Sequence, residues 1–321
     1  AQEEEEHFKN ETEQNKAWFQ NAEIFRNLPA ELAVELDHPK LYEQYLTRPI
    51  ERFMKEYWQQ HGIEKARILG RQPERLYIGN QFCPHLFPKD EQFFALLEKA
   101  DKERMEVTVA FSFIREDRLA QTEQLLTRLD QWCEQQKTSG AEKKRLEVVV
   151  NDWGLARLVK RKEHLIPCLG TLLNKRKKDP RMSYKMGDKT LLEQNNLNAG
   201  FYRIYLGESF GISSYEWESC GYDMALPPGK NSLHLPFYQT NTSQYCTLYA
   251  KCMTGERGKQ KLAEECPKFC KDYAFLYPDH LIMIGRYNSL FALDSRIFED
   301  GSGSGTGTEI GTKIKTEEIL K

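Results

Sequence analysis

The sequence predicts an α/β protein, a TIM-like (β/α) barrel with an N-terminal helical extension and a flexible C-terminal tail. Short apolar strand patterns alternate with amphipathic helix patterns across most of the chain, and such alternation is typical of parallel strands joined by crossover helices. Seven or eight of these units in about 270 residues favour a barrel over a doubly wound sheet. No G-x-G-x-x-G motif follows an early strand, which disfavours a dinucleotide-binding fold.

The individual units follow from hydrophobic periodicity. The pattern predicts strands at 33–36, 75–79, 106–113, 146–151, 166–172, 201–207 and 232–237. It predicts helices at 49–61, 89–104, 117–136, 153–162 and 213–220.

Composition and charge set the domain boundaries. Residues 1–28 are polar and predict a helical extension, and residues 29–300 carry the barrel pattern. Residues 301–308 contain only Gly, Ser and Thr and predict a flexible linker. Residues 309–321 regain some apolar character, which predicts a tail peptide that docks as a tethered partner segment.

The totals exclude several classes of protein. The net charge of −2 gives no global attraction to nucleic acid or membrane, and no apolar run approaches the roughly 20 residues of a membrane span. The acidic start of the chain is unlike a signal peptide. Eight cysteines in 321 residues are too sparse for a disulfide framework, so we expect reduced thiols in a cytoplasmic protein.

Four of the eight cysteines lie in one stretch, residues 246–270, which includes a Cys-x3-Cys pair at Cys266 and Cys270. Such a pair can direct two thiolates at one iron–sulfur cluster or one soft metal ion. Cys83 follows a predicted strand, and Cys252 follows the last one after a polar loop. In a (β/α) barrel these positions lie at the functional end. For Cys133, Cys168 and Cys220 we expect small buried side chains.

Several motifs resemble the collagenase-like peptidase family, U-thirty-two, over roughly residues 30–295. Residues 77–83 (YIGNQFC) resemble its YLGxxxC segment, and residues 148–154 (VVVNDWG) are similar to its strand ending in Asn-Asp-x-Gly. His234-Leu-Pro, Ala-Lys-Cys252, Glu-Cys266 and Cys270 follow in the family's order. The likeness is strongest to the family's iron–sulfur proteins of anaerobic ubiquinone biosynthesis.

The resemblance implies a [4Fe–4S] cluster held by Cys83, Cys252, Cys266 and Cys270, with Cys246 as a competing ligand. It also implies oxygen-independent hydroxylation or an accessory maturation step, and pairing with a related subunit. Zinc is the alternative metal, because four thiolates also form a closed structural zinc site. A metal-stabilised module that binds a peptide or RNA without turnover is the alternative function. A peptidase ranks last, because no Ser/His/Asp or HExxH pattern occurs.

Two further features are candidates for substrate or partner contacts. Asn151, Asp152 and His234 lie near predicted strand ends, where a polar substrate could be held, although such residues more often hydrogen-bond within the fold. The basic run at 174–181 (NKRKKDPR) is either a solvated loop or an RNA contact.

Overall fold

The computed structural model describes residues 31–60, 72–136, 143–176, 178, 193–220, 224–277 and 283–294. The predicted extension at 1–28, the linker and the tail peptide lie outside these residues.

The larger part of the described chain is a seven-stranded parallel sheet in sequence order, β1 to β7. The strands are β1 (Ala33–Leu36), β2 (Arg75–Gly79), β3 (Glu106–Ala110), β4 (Leu146–Val150), β5 (Leu165–Leu169), β6 (Ser214–Glu218) and β7 (Lys230–His234). Six α-helices of the described residues accompany them: α1 (Pro39–Thr47), α2 (Ile50–Gln60), α3 (Asp90–Lys102), α4 (Leu119–Gln135), α5 (Trp153–Lys160) and α6 (Gly200–Phe210). The α/β class and the parallel units are therefore confirmed.

The two faces of this sheet differ in chemistry, because alternate residues of a strand point to opposite sides. One face packs against the helices through buried apolar residues such as Leu76, Val109 and Trp217. The other, concave face carries Tyr77, Thr108, Glu147, Cys168 and Glu216, all of them buried. The main hydrophobic core therefore lies between sheet and helices.

The sheet curls into a half-barrel and not into the closed barrel that we predicted. Among the described residues no backbone pairing joins β1 to β7. The side chains of these edge strands nevertheless meet, with Glu35 Oε1 2.9 Å from His234 Nδ1. We call this gap between the edge strands the seam. It is closed by an ion pair where a complete barrel would have a ladder of backbone hydrogen bonds.

Two element predictions were wrong in type. The predicted strand at 201–207 lies in α6, and the predicted helix at 213–220 contains β6. In β6, Tyr215 and Trp217 pack towards the helices while Glu216 faces the concave side. Its alternation of apolar and charged residues is that of a strand with a polar interior face. In α6 the aromatic residues suggested a strand, but β propensity yields to tertiary context.

From Phe237 onward the chain leaves the βα pattern. A four-stranded antiparallel sheet forms in the order β8-β11-β10-β9. Its strands are β8 (Phe237–Thr242), β9 (Phe275–Leu276), β10 (Met283–Arg286) and β11 (Ser289–Leu293), and helix α7 (Thr247–Thr254) follows β8. This small sheet carries the cysteine-rich stretch.

The small sheet is attached beside the carboxyl end of β2. Tyr287 Oη donates a hydrogen bond to Asp37 Oδ2 at 2.6 Å, and Asn288 Nδ2 donates to the carbonyl of Phe82 at 2.9 Å. These bonds place the cysteines of the small sheet next to the loop that carries Cys83.

Candidate functional site

Four thiols from three separate segments line one pocket between the half-barrel and the small sheet. They belong to Cys83 after β2, Cys246 before α7, and Cys266 and Cys270 in the loop that precedes β9. Leu86, Leu248 and Phe269 contribute apolar walls. We call this set the thiol pocket.

The β2 loop directs Cys83 into the thiol pocket. Gly79 has a φ of 120°, and a Cβ there would lie 2.1 Å from the carbonyl oxygen of Ala110, so only glycine fits. Asn80 Oδ1 then accepts hydrogen bonds from the backbone N–H groups of Phe82 (2.9 Å) and Cys83 (2.8 Å). This turn fixes the Cys83 backbone, and the sulfur of Cys83 lines the pocket with a hydrogen bond from the backbone N–H of His85.

Cys246 occupies the N-cap of α7. Its sulfur accepts a hydrogen bond from the N–H of Tyr249 at 3.3 Å, and its thiol donates to the carbonyl of Tyr287 at 2.9 Å. A helix N-terminus stabilises negative charge. The position therefore suits a thiolate ligand.

A tight turn brings Cys266 and Cys270 to the same side. Lys268 adopts a left-handed conformation with φ 64°, and its N–H lies 3.4 Å from Cys266 Sγ. Arg115 of the half-barrel holds this loop by donating to the carbonyl of Ala263 at 3.2 Å. Arg118 donates to the carbonyl of Glu264 at 3.3 Å. These two hydrogen bonds hold the loop that carries Cys266 and Cys270 against the half-barrel, next to Cys83.

Cys252 is the one predicted ligand that lies outside the thiol pocket. It is exposed in the last turns of α7, whereas Cys246 at the start of the helix lines the pocket. Six residues on an α-helix turn the side chain through about 600°, so the two sulfurs point to different sides. Among the described cysteines, the structure brings together Cys83, Cys266 and Cys270 with Cys246.

Burial and nearby positive charge act in opposite directions on these thiols. Burial raises the pKa of Cys270 to about 12, with the Cys266 sulfur adding to the shift and Arg286 opposing it. Burial likewise raises the pKa of Cys83 and of Cys246. Arg115 lines the pocket. Arg115 and Arg286 therefore place positive charge beside the buried thiols, where it would oppose the negative charge of thiolate ligands.

The spacing of the sulfurs bears on the kind of metal that would fit. Among the described residues, no three of these sulfurs lie within 4.8 Å of one another. Four thiolates on one Zn²⁺, each about 2.3 Å from the metal, lie about 3.8 Å apart in a tetrahedron. The set is wider than a single-ion site.

The three predicted substrate contacts lie in different settings. Asn151 is buried, donating to the carbonyl of Phe111 (2.8 Å) and accepting from the N–H of Leu172 (3.0 Å). Asp152 caps α5 by accepting from the N–H of Leu155 at 2.8 Å. Both side chains therefore form hydrogen bonds to backbone groups of the fold. His234 instead faces the concave interior.

The concave interior contains a hydrogen-bonded network that the sequence analysis missed. His234 lies between Glu35 at the seam and Glu216 in the interior. Its Nδ1 faces Glu35 Oε1, and its Nε2 forms an ion pair with Glu216 Oε2. Tyr77 Oη donates to Glu216 Oε1 at 3.0 Å, and the Cys168 thiol donates to the same oxygen at 3.4 Å. The sequence does contain a signal for this network. Glutamates alternate with aromatic residues in β6, and this pattern indicates a strand with one polar face and one apolar face.

Charge pairing favours the protonated form of His234. Burial alone would lower the pKa of His234, but the Glu35 and Glu216 carboxylates raise it well above its usual value. Burial would raise the pKa of Glu35, yet His234 and Gln81 hold it below its usual range. The seam is therefore closed by an imidazolium between two carboxylates.

The described part of the basic run is engaged within the chain. Asn174 Nδ2 donates to the carbonyl of Glu216 at 3.0 Å, Arg176 stacks over Trp217, and Lys178 pairs with Glu218. Lys175 is exposed. These side chains fix the end of β6, and the rest of the run at 177 and 179–181 lies outside the described residues.

Comparisons with known proteins add no relative: no family model, no curated protein and no solved structure matches this chain. None of the helices in the described ranges is both long and apolar enough to cross a membrane.

Proposed function

We propose that the chain is a [4Fe–4S] protein of the U-thirty-two type whose cluster lies in the thiol pocket on Cys83, Cys246, Cys266 and Cys270. The observation that carries the proposal is the convergence of four unpaired thiols from three segments on one pocket. Cys246 takes the place that the resemblance gives to Cys252. We read the half-barrel as an incomplete form of the family's (β/α) barrel.

The donor set and its surroundings fit a cluster better than one zinc ion. Thiolates are the ligands of iron–sulfur clusters, and the four thiolates bind four different irons, so their sulfurs stand further apart than around a single ion. Hydrogen bonds to sulfur tune the reduction potential of such clusters. The N–H groups of Tyr249 and Lys268 provide two of them.

When bound, the group supplies one-electron transfer. The residues of this chain hold it, exclude water and balance its charge. Leu86, Leu248 and Phe269 shield the sulfurs from solvent. Arg115 and the cations around Cys270 oppose the negative charge that four thiolates bring. Reaction with a substrate would follow the resemblance, as oxygen-independent hydroxylation with a related subunit as partner.

Anaerobic purification followed by iron and acid-labile sulfide assays tests the proposal. We expect a brown protein with about four irons and four sulfides per chain. A colourless protein with one tightly bound zinc would instead support the structural zinc site and the binding module without turnover. Protein that takes up neither metal after reconstitution under reducing conditions would overturn both.

A further inference from the structure

A second cluster of metal-ligating side chains lies on the concave face of the half-barrel, apart from the thiol pocket. Oxygen atoms of Glu147 and Glu216 and the sulfur of Cys168 all lie within 4.8 Å of one another. The three residues come from β4, β5 and β6 and are all buried. Among the described residues, this is the one group whose ligand atoms are close enough for a single ion.

We propose that Glu147, Cys168 and Glu216 form a mononuclear site for a borderline divalent transition metal such as Zn²⁺. Two carboxylates and one thiolate are three protein ligands, the number that leaves one tetrahedral position open for water or substrate. A thiolate disfavours Mg²⁺ and Ca²⁺, which prefer oxygen donors alone.

A buried hydroxyl group without a hydrogen-bond partner indicates that this site binds a ligand. Ser214 Oγ is buried, with the residue only 5% exposed, and makes no hydrogen bond within the described chain. Ser214 is paired in register with Cys168 on the neighbouring strand, where burial and the Glu216 and Glu147 carboxylates raise the pKa of the Cys168 thiol. A buried polar group without a partner costs free energy. A metal-bound water or thiolate would satisfy it.

The carboxylates are already oriented by outer partners, as metal ligands usually are. Thr108 Oγ1 and Lys230 Nζ donate to Glu147, at 3.2 Å and 3.0–3.2 Å. His234 and Tyr77 hold the two oxygens of Glu216. A carboxylate has about four lone-pair sites, so each can keep these partners and still bind an ion.

Charge balance favours the same occupant. Glu35, Glu147 and Glu216 face the two cations His234 and Lys230, which leaves one negative charge in excess, and the neighbouring pairs Arg75–Glu31 and Lys178–Glu218 add no net charge. Binding a divalent ion while the Cys168 thiol releases its proton brings the formal charge to zero. The side chains of Glu35 and Lys230 are 43% and 37% exposed, so the edge of the concave face reaches solvent.

The test uses the full chain with Cys83, Cys246, Cys266 and Cys270 replaced by Ala, so that no sulfur of the thiol pocket remains to bind the probe. Co²⁺ and Zn²⁺ are added under reducing conditions. We expect one Co²⁺ per chain with a thiolate-to-cobalt charge-transfer band, and release of about one proton per Zn²⁺. Adding Cys168→Ala should abolish the band. Glu216→Gln should weaken binding by at least about tenfold.

Cys133→Ala is the matched control, because Cys133 is an equally buried thiol in α4 and should leave Co²⁺ binding unchanged. Absence of Co²⁺ binding, or a band that survives Cys168→Ala, would overturn the site. If the multiple variant does not fold, zinc is counted in the cluster-loaded wild-type chain. One zinc beyond the iron, lost in Cys168→Ala while iron is retained, supports the site, and no extra zinc refutes it.

Discussion

Replacing Glu216 by Gln should destabilise the half-barrel by an amount that depends on pH. Glu216 is completely buried, and its two oxygens receive His234 Nε2, Tyr77 Oη and the Cys168 thiol. Glutamine keeps an acceptor for Tyr77 and Cys168. What it removes is the negative charge beside the His234 imidazolium.

The magnitude follows from the cost of leaving a buried charge without its partner, about 3–5 kcal/mol. Glu35 remains 2.9 Å from the other ring nitrogen, so we expect the lower end, about 3 kcal/mol near pH 6. The pKa of His234 is raised by both carboxylates. Its stabilising contribution is therefore complete below about pH 6.5 and is lost as the pH rises through the raised pKa.

Urea unfolding followed by circular dichroism measures this difference. Wild type and Glu216→Gln should differ by about 3 kcal/mol at pH 6, and the difference should shrink as the pH rises. Glu208→Gln, an exposed position on α6, should change stability by less than about 0.5 kcal/mol. An equal loss at both ends of the pH range would refute the charge pairing and leave only a packing effect.

Three further predictions concern local positions. Gly79→Ala should lower the free energy of unfolding by about 2 kcal/mol or more in thermal unfolding, because the φ of 120° and the Ala110 carbonyl exclude a Cβ at this position. Gly258→Ala, where a Cβ would have nothing within 4 Å, should leave stability unchanged. Equal losses of stability in the two variants would contradict the argument. Burial and cations such as Arg286 lower the pKa of His38 to about 4, so the free energy of unfolding should fall by up to about 3 kcal/mol as the pH drops from 6.5 to 4. His38→Asn keeps a helix cap and should lessen this fall. An unchanged fall in that variant would show that another group causes the acid destabilisation. Arg115→Gln should lower the reduction potential of the bound cluster and Arg115→Lys should largely preserve it, as measured by redox titration; identical potentials would exclude an electrostatic role.

Much of the half-barrel could be predicted from the sequence, because its strands carry continuous or alternating apolar residues and its helices carry one apolar face. The swap at 201–207 and 213–220 shows the limit. A strand with glutamates on its inner face has the composition of an amphipathic helix, and only the neighbouring strands decide which structure forms. The antiparallel sheet after Phe237 was missed because the polar strand FYQTNT has no strong apolar pattern.

The thiol pocket could be predicted in part. The Cys-x3-Cys spacing and the position of Cys83 after a strand suggested three of its members. The choice between Cys246 and Cys252 depends on the phase of α7, which begins at Thr247. The interior network depends on strand register, which sets Glu216 of β6 beside His234 of β7, and on the curl of the sheet, which brings Glu35 of β1 to them.

Iron content after single cysteine replacements tests the central proposal most directly. Cys246→Ala and Cys252→Ala are matched, because they remove one thiol each from the two ends of α7. After anaerobic purification and reconstitution, Cys252→Ala should keep about four irons per chain while Cys246→Ala loses the cluster and its absorption. Retention of iron in Cys246→Ala together with its loss in Cys252→Ala would contradict the assignment of the thiol pocket.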